Sequence, residues 1–131
     1  GLTHTFGLLT EADSAHVSSG YYIGYEKDLK SQNYLCPGGS MISTPHEVGI
    51  FLRGLIDGTL LNQDEQVIFS SISNYEHTGL LPGYSSIARY HKEMDTVIIL
   101  FVNTSGGNSW SKIEIIYNRI VRILQKLPTK Q

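Results

Sequence analysis

The sequence is poor in three features that would each have pointed to a distinct class of protein. A single cysteine, Cys36, excludes an internal disulfide. The 10 lysines and arginines are balanced by 12 aspartates and glutamates and form no dense patch, so we expect no nucleic-acid partner. The longest apolar run, Val97 to Val102, is far too short to cross a bilayer. What is left is a chain of 131 residues, enough for one domain or for part of one.

Signals for targeting, metal binding and thiol chemistry are also missing. Residues 1–4 have neither the positive charge nor the apolar core of a signal peptide, so none is predicted. The five histidines include no pair at i, i+4 spacing and have no suitably spaced carboxylates, so neither a metal nor a cofactor is predicted. Cys36 has no base beside it in the sequence and is predicted to be a small buried residue rather than a nucleophile.

The first regular element that the sequence predicts is a helix from Pro45 to Asp57. Thr44 suits the N-cap, Pro45 suits the first helical position, and Glu47 would complete a capping box with Thr44. A second, shorter helix is predicted from Asp64 to Ser71. Apolar residues recur at helical spacing along one face of the first helix and should pack in the core. These residues are Val48, Phe51, Leu52, Leu55 and Ile56.

A block of strands follows, and then a long helix. Tyr75 to Thr78 leads into a Pro-Gly turn, and Tyr84 to His91 is joined to Thr96 to Val102 by a four-residue polar loop, as in a hairpin. From Val97 to Val102 the last strand is apolar and mostly β-branched, which is typical of a strand covered on both faces. The final helix, from Ser109, is amphipathic and should pack across the sheet. Its apolar stripe is Trp110, Ile113, Ile116, Tyr117, Ile120, Ile123, Leu124 and Leu127.

The predicted fold class is therefore α+β, with an antiparallel sheet of about three strands and flanking helices. Along the chain, residues 1–43 form an irregular segment and residues 44–72 are helical. Residues 74–103 hold the strands, and residues 109–127 form the C-terminal helix.

Candidate binding chemistry is concentrated in the triplet His77-Thr78-Gly79 and the residue after it, Leu80. The triplet places a cationisable side chain, a hydroxyl and a glycine in a row on a strand. The cation and the hydroxyl can both reach a carboxylate, and the glycine allows another backbone to come close. This pattern favours an extended anionic ligand at a strand edge. It equally suits an ordinary strand with a surface histidine, and these residues alone leave both interpretations open.

The order of several short motifs carries a resemblance to a known family. The motifs are Pro37-Gly38-Gly39-Ser40-Met41 with Ser43-Thr44, a helix ending in Asp57-Gly58, His77-Thr78-Gly79, Pro82-Gly83-Tyr84 and a strand ending at Asn103. In this order the chain resembles the C-terminal part of the serine β-lactamase-like family. That family includes class C β-lactamases, D-alanyl-D-alanine carboxypeptidases and related esterases, and it is akin to the penicillin-binding proteins.

The resemblance covers essentially the whole chain, but only the last part of the family's domain. Residues 1–6 look like the segment that follows the family's second catalytic motif. The resemblance thus implies the C-terminal portion of a β-lactamase- or transpeptidase-like domain.

The resemblance also implies a chemistry. Family members use a Ser-x-x-Lys nucleophile, a Tyr-x-Asn or similar triplet, and a Lys-Thr-Gly or His-Thr-Gly strand, and only the third has a match in the expected place. By this resemblance Thr78 would bind the substrate carboxylate and His77 would supply positive potential. Main chain around Leu80, just after Gly79, would donate to the oxyanion.

The activity implied is that of an acyl-enzyme hydrolase acting on a β-lactam, a D-alanyl peptide or an ester. The first two motifs are expected upstream. No catalytic residue is therefore assigned in this chain, and the isolated chain is expected to be inactive.

Two short matches to the missing motifs are interpreted as coincidental. Ser109-Trp110-Ser111-Lys112 has the form Ser-x-x-Lys, but it follows the His-Thr-Gly triplet, and Ser109 suits the N-cap of the last helix. Ser31-Gln32-Asn33 imitates the second motif within a polar loop.

The alternative to a hydrolase is a non-catalytic module that binds a peptide or partner along the edge of the Tyr75 to Thr78 strand. The hydrolase hypothesis predicts a small-molecule or peptide substrate for the full-length protein. An uncovered apolar face and strand edge also predict self-association. The residues give no localisation, and only the resemblance implies a bacterial, extracytoplasmic protein.

Overall fold

The computed structural model describes residues 1–32, 34 and 41–127. Cys36, the Pro37-Gly38-Gly39-Ser40 motif and Asn33 lie outside the described residues. The described helices are α1 (Pro45–Ile56), α2 (Gln63–Ile72) and α3 (Ser109–Leu124). The described strands are β1 (Tyr21–Tyr22), β2 (Glu76–Leu81), β3 (Tyr84–His91), β4 (Thr96–Val102) and β5 (Thr104–Ser105). Within these ranges, no helix is both long and apolar enough to span a membrane.

The strands form an antiparallel sheet in the order β2-β3-β4 and a separate parallel pair, β1-β5. The predicted α+β class with a three-stranded antiparallel sheet is thus confirmed. β2 runs three residues further than the predicted Tyr75–Thr78 strand, because it pairs with β3 as far as the two-residue turn at Pro82 and Gly83. Gly83 has a φ of 91°, a left-handed value that suits glycine, and its N–H donates to the Ser105 hydroxyl at 2.7 Å.

The core lies between the sheet and α3. Its buried members are Ile87, Ile98, Ile113, Tyr117 and Val121, drawn from β3, β4 and α3. Burying one large apolar side chain stabilises a fold by about 1.5–3 kcal/mol, so this layer fixes α3 against the sheet. Helix α1 packs on the opposite face of β4, where Gly49 approaches Ile99. β4 is therefore covered on both faces, as its apolar composition predicted.

The predicted core was wrong at several positions. Phe51 is 50% exposed, although its spacing placed it in the α1 stripe. On α3 the predicted residues Ile116, Ile123 and Leu127 are half-exposed or more, whereas Val121, which was not predicted, is buried. Apolar residues lie on more than one face of α3. Periodicity alone therefore could not decide which face meets the sheet.

Glu47 ties the N-terminal segment to α1 instead of closing the predicted capping box. The Glu47 N–H does donate to the Thr44 hydroxyl at 3.2 Å. The carboxylate, however, accepts the N–H groups of Thr3 and His4, both at 2.8 Å, and the Thr5 hydroxyl. Burial by itself raises the pKa of the Glu47 carboxyl, but these hydrogen bonds outweigh it and lower the pKa to about 2.

Candidate substrate-binding strand

β2 is an outer strand of the sheet and carries the predicted site residues. His77, Thr78 and Leu80 are exposed and Gly79 is partly buried. The strand pairs with β3 on one side, and no other described strand pairs with its second side. The strand therefore presents both side chains and backbone to a ligand.

The register of β2 decides which backbone groups face the open edge. The Tyr90 N–H donates to the Tyr75 carbonyl at 3.0 Å, so this pair is hydrogen-bonded. Bonded and non-bonded pairs alternate along an antiparallel ladder, which makes Glu76, Thr78 and Leu80 the non-bonded positions. Their N–H and C=O groups point away from β3 and towards the open edge.

The same register separates the side chains of His77 and Thr78. Directly paired residues share a face of an antiparallel sheet, and neighbours along a strand alternate. Glu76 pairs with Arg89 and Thr78 with the buried Ile87, so all four lie on the face that α3 covers. His77 lies on the opposite face. Two side chains that the sequence places together are therefore divided by the sheet.

A cavity of about 380 Å³ lies at the start of β2 and is lined by Glu76, His77, Thr78 and Arg89. Arg89 is 27% exposed and contacts two carboxylates, with Nε 3.3 Å from Glu76 Oε2 and Nη2 3.6 Å from Glu114 Oε1. The Arg89 Nε atom is buried and makes no hydrogen bond within the described part of the chain. Its contact with Glu76 is an ion pair without the geometry of a hydrogen bond. The cavity thus holds a hydroxyl, a cation and a carboxylate side by side.

The Arg89 guanidinium also contacts an aromatic ring. Its central carbon lies 5.2 Å from the centre of the Tyr117 ring, within the range of a cation–π interaction. Tyr117 is almost fully buried, and burial raises its pKa to about 12, so the phenol stays neutral. Its hydroxyl meets His91 Nε2 at 2.9 Å. These contacts limit where the guanidinium can lie.

Tyr75 fixes the point at which the chain enters β2. It has a φ of 53°, a left-handed value that costs a bulky residue on the order of 1–3 kcal/mol. The ring packs edge-on against Phe69 and Tyr90, and its hydroxyl accepts from Gln66 Nε2 at 3.1 Å. The strained residue is therefore held by α2 and β3 together, immediately before the candidate site.

Gly79 leaves room for the Ser86 side chain of the neighbouring strand β3, which would otherwise have to move. A β-carbon at this position would lie 2.5 Å from the Ser86 hydroxyl oxygen, well inside normal contact distance. The backbone angle of Gly79 is not left-handed, so the requirement is for space rather than for a special conformation. Close approach to β3 explains this glycine without any ligand.

A larger groove of about 750 Å³ lies between α1 and β4. Its lining includes the apolar residues Ile50, Val97 and Ile99 and the ion pair of Arg53 with Asp95. None of the predicted site residues lines it. The smaller cavity on β2 is therefore the better candidate site.

The two coincidental motif matches stay outside this site. Ser109 is the first residue of α3 and is buried, with Asn108, not Ser109, at the N-cap position. Ser109 is buried whereas Lys112 is exposed, which does not favour a nucleophile-and-base pair between them. Ser31 and Gln32 belong to a turn, and Asn33 is not described. The described residues also contain no group of three His, Cys, Asp or Glu side chains able to hold a metal.

Arg89 and Glu76 are the two residues of this cavity that the sequence analysis did not assign to the site. The hairpin from Tyr84 and the turn at Pro82 and Gly83 were both recognised, and counting back from a two-residue turn pairs Glu76 with Arg89. The sequence therefore contained the signal that pairs Glu76 with Arg89. It was not used because β2 was predicted to end at Thr78.

Sequence comparisons identify no relative of this chain. No protein-family model matches it, and no curated protein matches it.

A comparison of structures does find a similar fold. The chain superposes on D-amino acid amidase from Ochrobactrum anthropi SV3, solved in complex with D-phenylalanine, with a TM-score of 0.70 and 21% sequence identity. The match covers 94% of this chain and 50% of the amidase chain. At this identity the likeness shows the fold, a part of the β-lactamase-like fold, and this chain spans about half the length of the amidase.

Proposed function

We propose that this chain is the substrate-binding part of a serine hydrolase with the β-lactamase-like fold. The observation that carries the proposal is the fold shared with an amidase over 94% of the chain. It is supported by the position of the His-Thr-Gly triplet on an outer strand beside a cavity. A hydrolase of this type would act on an amide, a β-lactam or an ester.

The open edge of β2 has the groups that such a reaction needs on the substrate side. The outward N–H of Leu80 can donate to the carbonyl oxygen that becomes negative during acyl transfer. The Thr78 hydroxyl can bind a carboxylate, and the outward backbone of β2 can pair with an extended substrate. Each role depends on a group that faces solvent in the structure.

The nucleophile is proposed to come from polypeptide outside these 131 residues. Its serine oxygen would bond to the substrate carbonyl carbon as the bond to the leaving group breaks, and the leaving group would depart with a proton. Water would then hydrolyse the acyl-enzyme and restore the serine. The isolated chain is therefore expected to be inactive.

Labelling of the active serine tests this proposal. The chain and a longer polypeptide that carries a Ser-x-x-Lys motif before Gly1 would each be incubated with a fluorophosphonate and with a penicillin. Intact-mass spectrometry should show a one-to-one adduct on the longer polypeptide and none on the chain. An adduct on Ser109 of the chain would contradict the proposal.

A non-catalytic binding module is the second candidate, because the open edge of β2 could pair with a peptide without any chemistry. A longer polypeptide that contains no Ser-x-x-Lys motif, or that takes up neither reagent, would favour this module over the hydrolase.

A further inference from the structure

We propose that the outward face of α3 binds the surface of a lipid bilayer that carries anionic headgroups. The helix would lie along the bilayer surface without crossing it. This inference does not depend on the proposed hydrolase function, since it concerns the side of α3 that faces away from the sheet. It assigns a partner to residues that neither the core nor the candidate site uses.

The first argument is that α3 has a second face besides the one that packs on the sheet. The packed face contains Ile113, Tyr117 and Val121, which are buried and spaced by four residues. On the opposite side, exposed residues recur at helical spacing, which places them along one face. We call this set the outer stripe, and it consists of Lys112, Ile115, Ile116, Arg119, Arg122 and Ile123. Lys126 and Leu127 continue the spacing just after α3 and are also exposed.

The second argument is the charge of this part of the chain. Residues 109–127 hold four of the ten lysines and arginines but only one of the twelve aspartates and glutamates. That one acid, Glu114, is directed towards the sheet, where its Oε1 lies 3.6 Å from Arg89 Nη2. The outer stripe is therefore positively charged, although the chain as a whole has a net charge of −2. Such a stripe favours an anionic partner.

The third argument is the exposure of isoleucines between these cations. Ile115, Ile116 and Ile123 are 67%, 50% and 55% exposed. Exposed apolar surface is unfavourable in water and is relieved by burial against a partner. At a bilayer surface, isoleucines can enter the boundary between headgroups and acyl chains. The apolar stems of lysine and arginine can extend alongside them, so that the charged ends reach the lipid phosphates.

The order of residues along the stripe fits a bilayer better than a protein. Cations and isoleucines alternate from Lys112 through Ile116 and Arg119 to Ile123, rather than forming one charged and one apolar patch. A protein partner would need a carboxylate for each cation and a pocket for each isoleucine, all in matching register. An anionic bilayer offers both kinds of contact everywhere on its surface, so no such register is needed.

Co-sedimentation of the chain with lipid vesicles tests the inference. One set of vesicles is phosphatidylcholine alone, and the matched set contains about 30% phosphatidylglycerol, which is anionic. The chain should partition at least about tenfold more strongly onto the anionic set, because each cation near such a surface contributes about fivefold. Raising NaCl from about 0.1 M to about 1 M should remove most of this difference, because the screening length falls from about 10 Å to about 3 Å.

A pair of charge variants locates the electrostatic contact. Arg119→Gln combined with Arg122→Gln should weaken partitioning onto the anionic vesicles at least about tenfold. The control combines Lys27→Gln with Lys92→Gln, which makes the same change in net charge at exposed positions outside α3. It should change partitioning by less than about threefold, since charges far from the contact are screened.

A pair of apolar variants locates the hydrophobic contact. Ile116→Gln combined with Ile123→Gln should weaken partitioning at least about fivefold, because two inserted side chains are lost. The control combines Val67→Gln with Ile68→Gln on α2, where the two side chains are 64% and 63% exposed. It should change partitioning by less than about twofold. Dispersed amide spectra would verify that every variant is folded.

The remaining outcomes also decide the result. No partitioning, equal partitioning onto both sets of vesicles, or equal losses in the variants and their controls would overturn the inference. Binding of the outer stripe to polyglutamate in place of vesicles would assign it to an acidic protein instead. A longer polypeptide that includes this chain should bind anionic vesicles too. If only the isolated chain did so, the outer stripe would be covered by the additional polypeptide, and the inference would be wrong.

Discussion

A β-carbon added to Gly79 would lie 2.5 Å from the hydroxyl oxygen of Ser86, its partner on β3. A side chain at this position would therefore force the Ser86 hydroxyl to move, whatever the glycine does for a ligand. The contact with Ser86 is a structural role of Gly79, and it is distinct from any role of Gly79 in ligand binding.

We predict that Gly79→Ala lowers the free energy of unfolding by about 1–3 kcal/mol, the usual cost of overpacking. Ser86→Ala removes the hydroxyl and should restore most of that loss in the double variant. Urea unfolding of the two single variants and the double variant measures the coupling between the sites. If the double variant stayed as unstable as Gly79→Ala, the clash with Ser86 would not be the cause.

The Glu47 carboxylate should make stability depend on acid pH. Its pKa in the folded chain is lowered to about 2 from an ordinary value of 4.5. A group with a lowered folded pKa stabilises the fold above its unfolded pKa, and this contribution disappears as pH falls from about 4.5 towards 2. Glu47→Gln should therefore be less stable than the parent chain at pH 7, with the difference shrinking over that range.

Urea unfolding of both proteins at several pH values measures this difference. Glu26→Gln, a change at an exposed residue, serves as the control and should show no comparable trend. A constant difference between Glu47→Gln and the parent at all pH values would contradict the assignment.

Tyr75 should contribute to stability through its hydroxyl as well as through its ring. Tyr75→Phe keeps the packing against Phe69 and Tyr90 but loses the hydrogen bond from Gln66, which should cost about 1 kcal/mol. Tyr75→Ala should cost more, since it loses the ring and keeps the left-handed backbone. Thermal and urea unfolding would measure both. Tyr21→Phe, at an exposed tyrosine, should change stability by less than about 0.5 kcal/mol.

We also predict that the chain self-associates through the second edge of β4, with which no described strand pairs. From Thr96 to Val102 this strand carries no charge, and Phe101 is 38% exposed. β2, the other outer strand, carries Glu76, and a charged residue on an edge discourages pairing. Sedimentation velocity at increasing concentration should show a dimer or larger species.

Lysine substitutions locate the contact. Phe101→Lys should reduce association, whereas Leu80→Lys on β2 should have less effect. Ile116→Lys tests the exposed apolar face of α3 as the competing surface. A monomer at every concentration would contradict the prediction, and a monomer produced only by Ile116→Lys would move the contact to α3.

The local elements of this fold were accessible from the sequence, because each depends on residues close together in the chain. Thr44 and Pro45 mark the start of α1, and the strands β3 and β4 begin and end where their patterns predicted. These signals combine turn residues, capping residues and periodicity, which act over a few positions. They were sufficient for the α+β class and for the position of the His-Thr-Gly triplet on a strand.

The sequence by itself therefore determined which segments are helices and strands, and where chemically useful residues are concentrated. Only the tertiary structure decided which of those residues meet. It placed Arg89 beside Thr78 and His77 on the other face, joined Glu47 to Thr3, and left Phe51 exposed. The physical reason is that strand register and long-range hydrogen bonds depend on the packing of distant segments, and a local pattern carries no information about that packing.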